Sequence, residues 1–246
     1  MSLTTDLQLP RLKTDYWNDY FRPGGTWEER SGREQTRLFA RAFCRHTRLD
    51  RNNRLCFADS SCALGDAMPI LHDHFPNARL FGFDFSPIAI DRCKQAFGNV
   101  ASFAVADIEN IDGLYDVIYS SATLEHFPDY REKARALLRH CRHLAIMVPF
   151  DEKRNGQDLQ HDPDHDHVVT FREDSFDFLV QEQLATKILP PRIFAVPGAW
   201  SWSRQRWLVE ASRNVGRLVL RRPLARNKKM ILFEVVSSLF PGDTRD

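Results

Sequence analysis

The sequence predicts an α/β fold, in which a mostly parallel sheet of seven strands is covered by helices on both faces. Three observations predict it. Five short apolar runs before residue 150 have the length of buried strands, helical patterns separate most of them, and three of the runs end in aspartate.

The strand candidates are "RLCFAD" (54–59), "RLFGFD" (79–84), "ASFAVAD" (101–107), "YDVIYSS" (115–121) and "RHLAIMVP" (142–149). Between them "DAMPILHDHF", "PIAIDRCKQAF" and "YREKARALLRHC" carry helical spacing, while the third and fourth runs lie too close together for a full helix. Ahead of this core, "GREQTRLFARAFCRH" (32–46) places Leu38, Phe39, Ala42 and Phe43 on one helical face, so a leading helix packs on the sheet. The runs "ATKILPPRIFAVPG" and "KKMILFEVVSSL", flanking a helix near 204–220, complete the seven strands.

With 246 residues, 43% of them hydrophobic, the chain has the material for one large domain over 1–246. Its parts are an N-terminal flap and helix (1–50), a ligand-binding core (54–150), and a substrate-side loop with C-terminal strands (151–246). No run reaches the roughly 18 apolar residues of a membrane span, and the N-terminus lacks the apolar core of a signal peptide, so a cytoplasmic protein is expected. Five cysteines without a Cys-x-x-Cys pair suggest buried thiols, neither a disulfide framework nor a zinc knuckle. A net charge of +1 exerts no global pull on nucleic acid. Only 211–229 is strongly basic, either as a solvated helix or as a peripheral contact with an anionic glycan, lipid-linked substrate or membrane surface.

In a parallel sheet with a crossover, ligands bind at the carboxyl ends of the strands, and an acidic residue ending the second strand can accept from a ribose. Asp59, Asp84 and Asp107 stand at three such ends. Each aspartate is also a favoured helix cap, so it is their common register that points to a rim. The loop after the first strand, "DSSCALGD", holds one glycine, Gly65. A dinucleotide loop normally needs three, because its backbone nearly touches a pyrophosphate. Ser61, Ala63 and Asp66 would narrow and acidify such a loop, and no Tyr-x-x-x-Lys pair is present, which disfavours a nicotinamide-dependent reductase.

These segments resemble the class I S-adenosylmethionine-dependent methyltransferases, whose first motif runs roughly Asp-x-Gly-x-Gly-x-Gly. Asp59 and Gly65 match it, while Ser61 and Ala63 replace two glycines. "FGFDFSPIAIDRCKQAF", "VADIENI" and "YDVIYSSATLEHFPD" resemble the next three motifs. The resemblance implies a three-layer Rossmann-like sandwich with the last strand antiparallel, and S-adenosyl-L-methionine as cofactor, leaving S-adenosyl-L-homocysteine. It implies a cofactor site built from Asp59, Ser60, Ser61, Cys62, Ala63 and Gly65, with Asp84 on the ribose, Phe85 and Ser86 beside the adenosine, and Asp107 and Ile108 at the adenine. Ser120 of the fourth strand joins them, and Arg33 is a candidate partner for the methionine carboxylate. The missing glycines leave room for the alternative of a catalytically silent binding protein that keeps the fold.

Transfer to a hydroxyl needs a group to take its proton, and histidine suits that role. His126, after the fourth strand, and His165 and His167, in the long polar stretch 150–171, are the candidates. Glu125 and His126 can equally shape the turn. "HDPDHDH" (161–167) has metal-ligand residue types, but contiguous ligands on a loop rarely fix one geometry, so no metal is expected. Tyr16, Trp17 and Trp27 are candidate flap contacts, and Trp200, Trp202 and Trp207 can stack on a ring substrate or pack. The acceptor expected is a small molecule or saccharide of a surface-polysaccharide or secondary-metabolite pathway, methylated at oxygen. Motifs of DNA-methylating enzymes are absent.

Overall fold

A computed structural model of the chain describes residues 14–159, 167–197 and 227–240. Three helices open it, α1 (Thr14–Phe21), α2 (Thr26–Glu29) and α3 (Gly32–His46). The core then runs β1 (Cys56–Asp59), α4 (Met68–His74), β2 (Arg79–Asp84), α5 (Pro87–Phe97), β3 (Ser102–Val105), β4 (Tyr115–Ser121), α6 (Tyr130–Leu138) and β5 (Cys141–Pro149). A small hairpin, β6 (Lys153–Arg154) with β7 (Gln157–Asp158), precedes α7 (Phe178–Gln181), β8 (Ala185–Pro197) and β9 (Asn227–Ser237).

The seven long strands form one sheet in the order β3-β2-β1-β4-β5-β9-β8. Strands β1 to β5 pair in parallel, and β9 runs antiparallel to both β5 and β8, between which it is inserted. The last strand in sequence is therefore the antiparallel one, as the sequence predicts. Between β3 and β4 there is room only for a 3-10 turn, Ile108–Asn110. The sequence reading contains no counterpart of the 153–158 hairpin, whose strands are two residues each and exposed, too short to leave a period.

Alternation along the strands sorts the core into two layers. Val117, Tyr119, Ala145 and Met147 meet Phe43 of α3, Leu71 of α4 and Ile90 of α5. Ile118, Leu144, Ile146 and Phe233 meet Leu137 of α6, Leu179 of α7 and the aromatic pair Phe171 and Phe176. Fully burying one such side chain contributes about 1.5–3 kcal/mol, so each layer fixes which face every strand presents. The order reverses between β1 and β4, which opens a crevice at the carboxyl edge where the site is built.

The helix expected near 204–220, the tryptophans at 200, 202 and 207, and residues 211–226 of the basic stretch lie outside the described residues. Among those described, no helix is long and apolar enough to cross a membrane.

Candidate active site

A cavity of about 310 Å³ opens at this crevice. Asp59 of β1, Asp84 of β2, Asp107 beyond β3 and Ser121 of β4 line it, because parallel pairing brings all four strand ends to one rim. Phe85, Ile108, Ser60, Ser61 and Ala63 add to the wall, and Trp17, Phe21, Trp27 and Phe39 close it from the N-terminal helices.

Asp84 organises the crevice. Its Oδ2 accepts the Ala63 backbone N–H at 3.0 Å and its Oδ1 accepts that of Ser86 at 2.9 Å. Asp59 accepts the Ser61 N–H at 3.2 Å. Burial outweighs these bonds, and with a carboxylate neighbour adding to it (Asp84 for Asp59, Asp107 for Asp84), both acids are pushed up to about 7. The pair therefore sits near its ionisation point at neutral pH, ready to be held ionised by a ligand that brings donors or positive charge.

Some residues of the sequence-derived site stand behind the wall. Cys62 and Gly65 are packing positions: a Cβ on Gly65 would lie 3.0 Å from Phe97 and 3.1 Å from Cys93. Ser86 is fully buried, capping α5 by accepting from Ala89 N and donating to Asn18 of α1 at 2.6 Å. Ser120 is buried, and among the described residues it is its neighbour Ser121 that reaches the cavity. Arg33 is not at the cavity wall. Its Nε bonds the buried Asp66 carboxylate at 2.9 Å, beside Arg37 at 2.8 Å, so it pins α3 to the loop after Gly65. Asp66 thus faces two guanidinium groups and does not acidify the cavity.

The flap is fixed by contacts legible only in three dimensions. Arg92 of α5 reaches the Phe21 carbonyl at 2.6 Å and Glu28 at 2.5 Å, and Trp17 stacks on Phe21 with ring centres 5.4 Å apart. Trp17 also meets the edge of His126 at 6.2 Å.

His126 ends a 3-10 turn, Leu124–His126, and lines the cavity. His167 is brought to it by pairing of the 167–171 segment: Phe171 bridges Phe150 at the end of β5, and Val168 N donates to the Glu125 carbonyl at 2.8 Å. The two imidazoles lie 5.0 Å apart, near-perpendicular. His167 Nδ1 meets Glu152 Oε2 at 2.5 Å, and its Nε2 lies 3.9 Å from Glu125 Oε1. Burial opposes charge on His167, yet the Glu152 bond and the two carboxylates hold it above the ordinary histidine range. Burial pushes Glu125 up to about 6, against the charge of His167. Glu152 left no signal in the sequence, being one acid in a polar run, and Glu125 was visible only as a turn residue beside His126. His161 and His165 fall outside the described residues.

Residues 27–183 match the family described as a methyltransferase domain. The chain belongs to that family. It carries a methyltransferase domain, and the reductase reading falls away. A relative, trans-aconitate 2-methyltransferase of Escherichia coli O1:K1, is 33% identical over 107 residues, which are 42% of this chain and 42% of that protein. The chain thus spans under half the length of the curated relatives it matches. Among solved structures, the magnesium protoporphyrin IX methyltransferase of Synechocystis PCC 6803 with bound S-adenosylmethionine shares the fold at TM-score 0.53 and 15% identity, over 91% of this chain and 90% of that one. The plantazolicin methyltransferase BpumL, in complex with a triazolic desmethylPZN analogue and S-adenosylhomocysteine, does so at TM-score 0.57 and 18% identity, over 92% and 96%.

Proposed function

We propose that this methyltransferase methylates an oxygen of a small, hydroxyl-bearing acceptor, saccharides included. The observation that carries the reading is the group of Glu125, His126 and His167 at the edge of an otherwise acidic and aromatic cavity. Asp84 suits the ribose hydroxyls as a paired-oxygen acceptor, Asp107 and Ile108 the adenine edge, Phe85 its face, and Asp59 with Ser60 and Ser61 the charged methionine end. When bound, S-adenosylmethionine supplies a methyl already activated on a sulfonium. The chain's own task is then to hold the acceptor in line, exclude water and handle the hydroxyl proton. Trp17, Phe21 and Trp27 supply the exclusion, and His126, on the cavity wall, is positioned to take the proton.

The lining speaks against a polycarboxylate acceptor. Among the described residues Lys133 is the one cationic side chain in it, and its Nζ is paired with Glu109 at 3.0 Å and Asp129 at 3.7 Å. Among the described residues the lining therefore offers an acid with several carboxylates no unpaired lysine or arginine.

The test is methyl transfer from labelled S-adenosylmethionine to free and nucleotide-linked sugars, phenols and trans-aconitate in parallel. Transfer to hydroxyl acceptors, lowered about 10²–10⁴-fold by His126→Ala without loss of cofactor affinity, is the expected outcome. Transfer confined to trans-aconitate, or turnover unchanged by His126→Ala, overturns it.

A further inference from the structure

Glu125 is 1% exposed, and among the described residues neither of its carboxylate oxygens has a hydrogen-bond partner. A buried carboxylate without a donor is costly, so its surroundings have to compensate it. What faces it is imidazole: one ring nitrogen each from His126 and His167 and one oxygen of Glu125 lie within 4.8 Å of one another. The bond from His167 Nδ1 to Glu152 at 2.5 Å fixes that ring from behind and turns Nε2 toward Glu125. A carboxylate on the far nitrogen is how proteins orient a metal-ligating histidine.

Two imidazoles and one carboxylate form a donor set for a divalent transition metal, whereas magnesium and calcium take oxygen alone. We propose that Glu125, His126 and His167 bind one divalent transition-metal cation at the edge of the substrate cavity, with Glu152 as the positioning residue behind His167. Three protein ligands leave a coordination position open, and of the three His126 is the one that lines the cavity. The histidine that sequence offered from the "HDPDHDH" run takes part, but its fellow ligands come from the turn after β4, some forty residues earlier.

The proposal rests on the preceding reading only for the ion's task. Held by Glu125, His126 and His167, such an ion would supply Lewis acidity and lower the cost of removing the proton from an acceptor hydroxyl. The histidines then serve as ligands, and the proton-accepting role of His126 belongs to the metal-free protein.

Co2+ titration of the chelator-stripped full chain, read by its visible d–d absorption with Zn2+ as competitor, tests the binding. One Co2+ per chain is expected, weakened about 100-fold or more by Glu125→Gln and His167→Ala and about 10–100-fold by Glu152→Gln. Asp84→Asn, on the cofactor side, leaves Co2+ affinity unchanged, and retained S-adenosylhomocysteine binding shows that the ligand variants are folded. Absence of stoichiometric binding at millimolar Co2+ overturns the proposal. So does binding that survives Glu125→Gln and His167→Ala but is lost in His161→Ala/His165→Ala. Stoichiometric binding without transfer to any hydroxyl acceptor overturns the acceptor reading and leaves the ion site standing. Undiminished transfer by the stripped chain overturns the ion's part in the reaction.

Discussion

Asp84 accepts the backbone N–H of Ala63 at 3.0 Å, so one carboxylate at the end of β2 also holds the loop that follows β1. The residue proposed for the cofactor ribose is therefore a structural tie as well.

Replacing Asp84 by alanine orphans two buried N–H groups, those of Ala63 and Ser86, at about 1–3 kcal/mol each. Loss of S-adenosylhomocysteine binding in Asp84→Ala should then come with a fall in Tm of roughly 5 °C or more. Asp84→Asn keeps an acceptor oxygen and should recover part of the stability without recovering the affinity. Thermal melts and calorimetric titration of both variants check this. An Asp84→Ala protein with native Tm would mean that the loop does not depend on the carboxylate.

Protonation gives stability and affinity opposite slopes. Asp59 and Asp84 are raised by burial from 3.8 to about 7, so between roughly pH 4 and 7 the folded chain holds protons that the unfolded chain has lost. Their contribution to stability accordingly declines as pH rises through that window. His167, raised above the ordinary histidine value, adds stability at low pH that is lost as pH passes its folded pKa. Glu234 acts the other way: burial opposes its charge, but the His143 imidazole 3.7 Å away and hydrogen bonds from Arg48 and Thr47 hold it at about 2, so its contribution is lost only as pH falls from about 4.5 toward 2. If Asp84 holds the ribose as proposed, its ionised form binds the hydroxyls best, so S-adenosylhomocysteine affinity should climb from pH 6 to 8 while the Tm of the free protein declines. Affinity that falls over this range would remove the ionised carboxylate from the binding site.

The sheet was legible because buried parallel strands are short apolar runs with punctuated ends, and β2 and β4 begin and end where the sequence places them. The rim was legible for the same reason, since the register of β1, β2 and β3 carries Asp59, Asp84 and Asp107 to one edge. The meeting of His167 with Glu125 was not legible. It depends on the bridge from Phe171 to Phe150 and on the backbone bond from Val168, neither of which leaves a period or a motif. The bond from Arg33 to Asp66 was not legible for a related reason: Asp66 stands in the same loop as Ser61 and Ala63, and charge alone does not say which acid a guanidinium will reach.

The two missing glycines of the loop have different answers in the backbone. Ser61 is not in the left-handed region, so a serine there is unstrained, whereas Ala63 at φ 50° and Gly65 at φ 75° are both left-handed. Left-handed backbone costs an alanine about 1–2 kcal/mol. At position 63 the methyl is buried among Phe21, Leu64 and Ala89, which returns about 0.8 kcal/mol, and alanine also orders the unfolded chain less expensively than glycine. Ala63→Gly should therefore shift Tm by no more than about 2 °C in either direction. Gly65→Ala meets the same strain and, in addition, contacts of 3.0 Å with Phe97 and 3.1 Å with Cys93, so about 3 kcal/mol is expected, or roughly 6–12 °C. The pair of melts tests why the loop kept its glycine at 65 and not at 63. If Gly65→Ala were tolerated as well as Ala63→Gly, side-chain packing behind the loop would not be what holds that glycine in place.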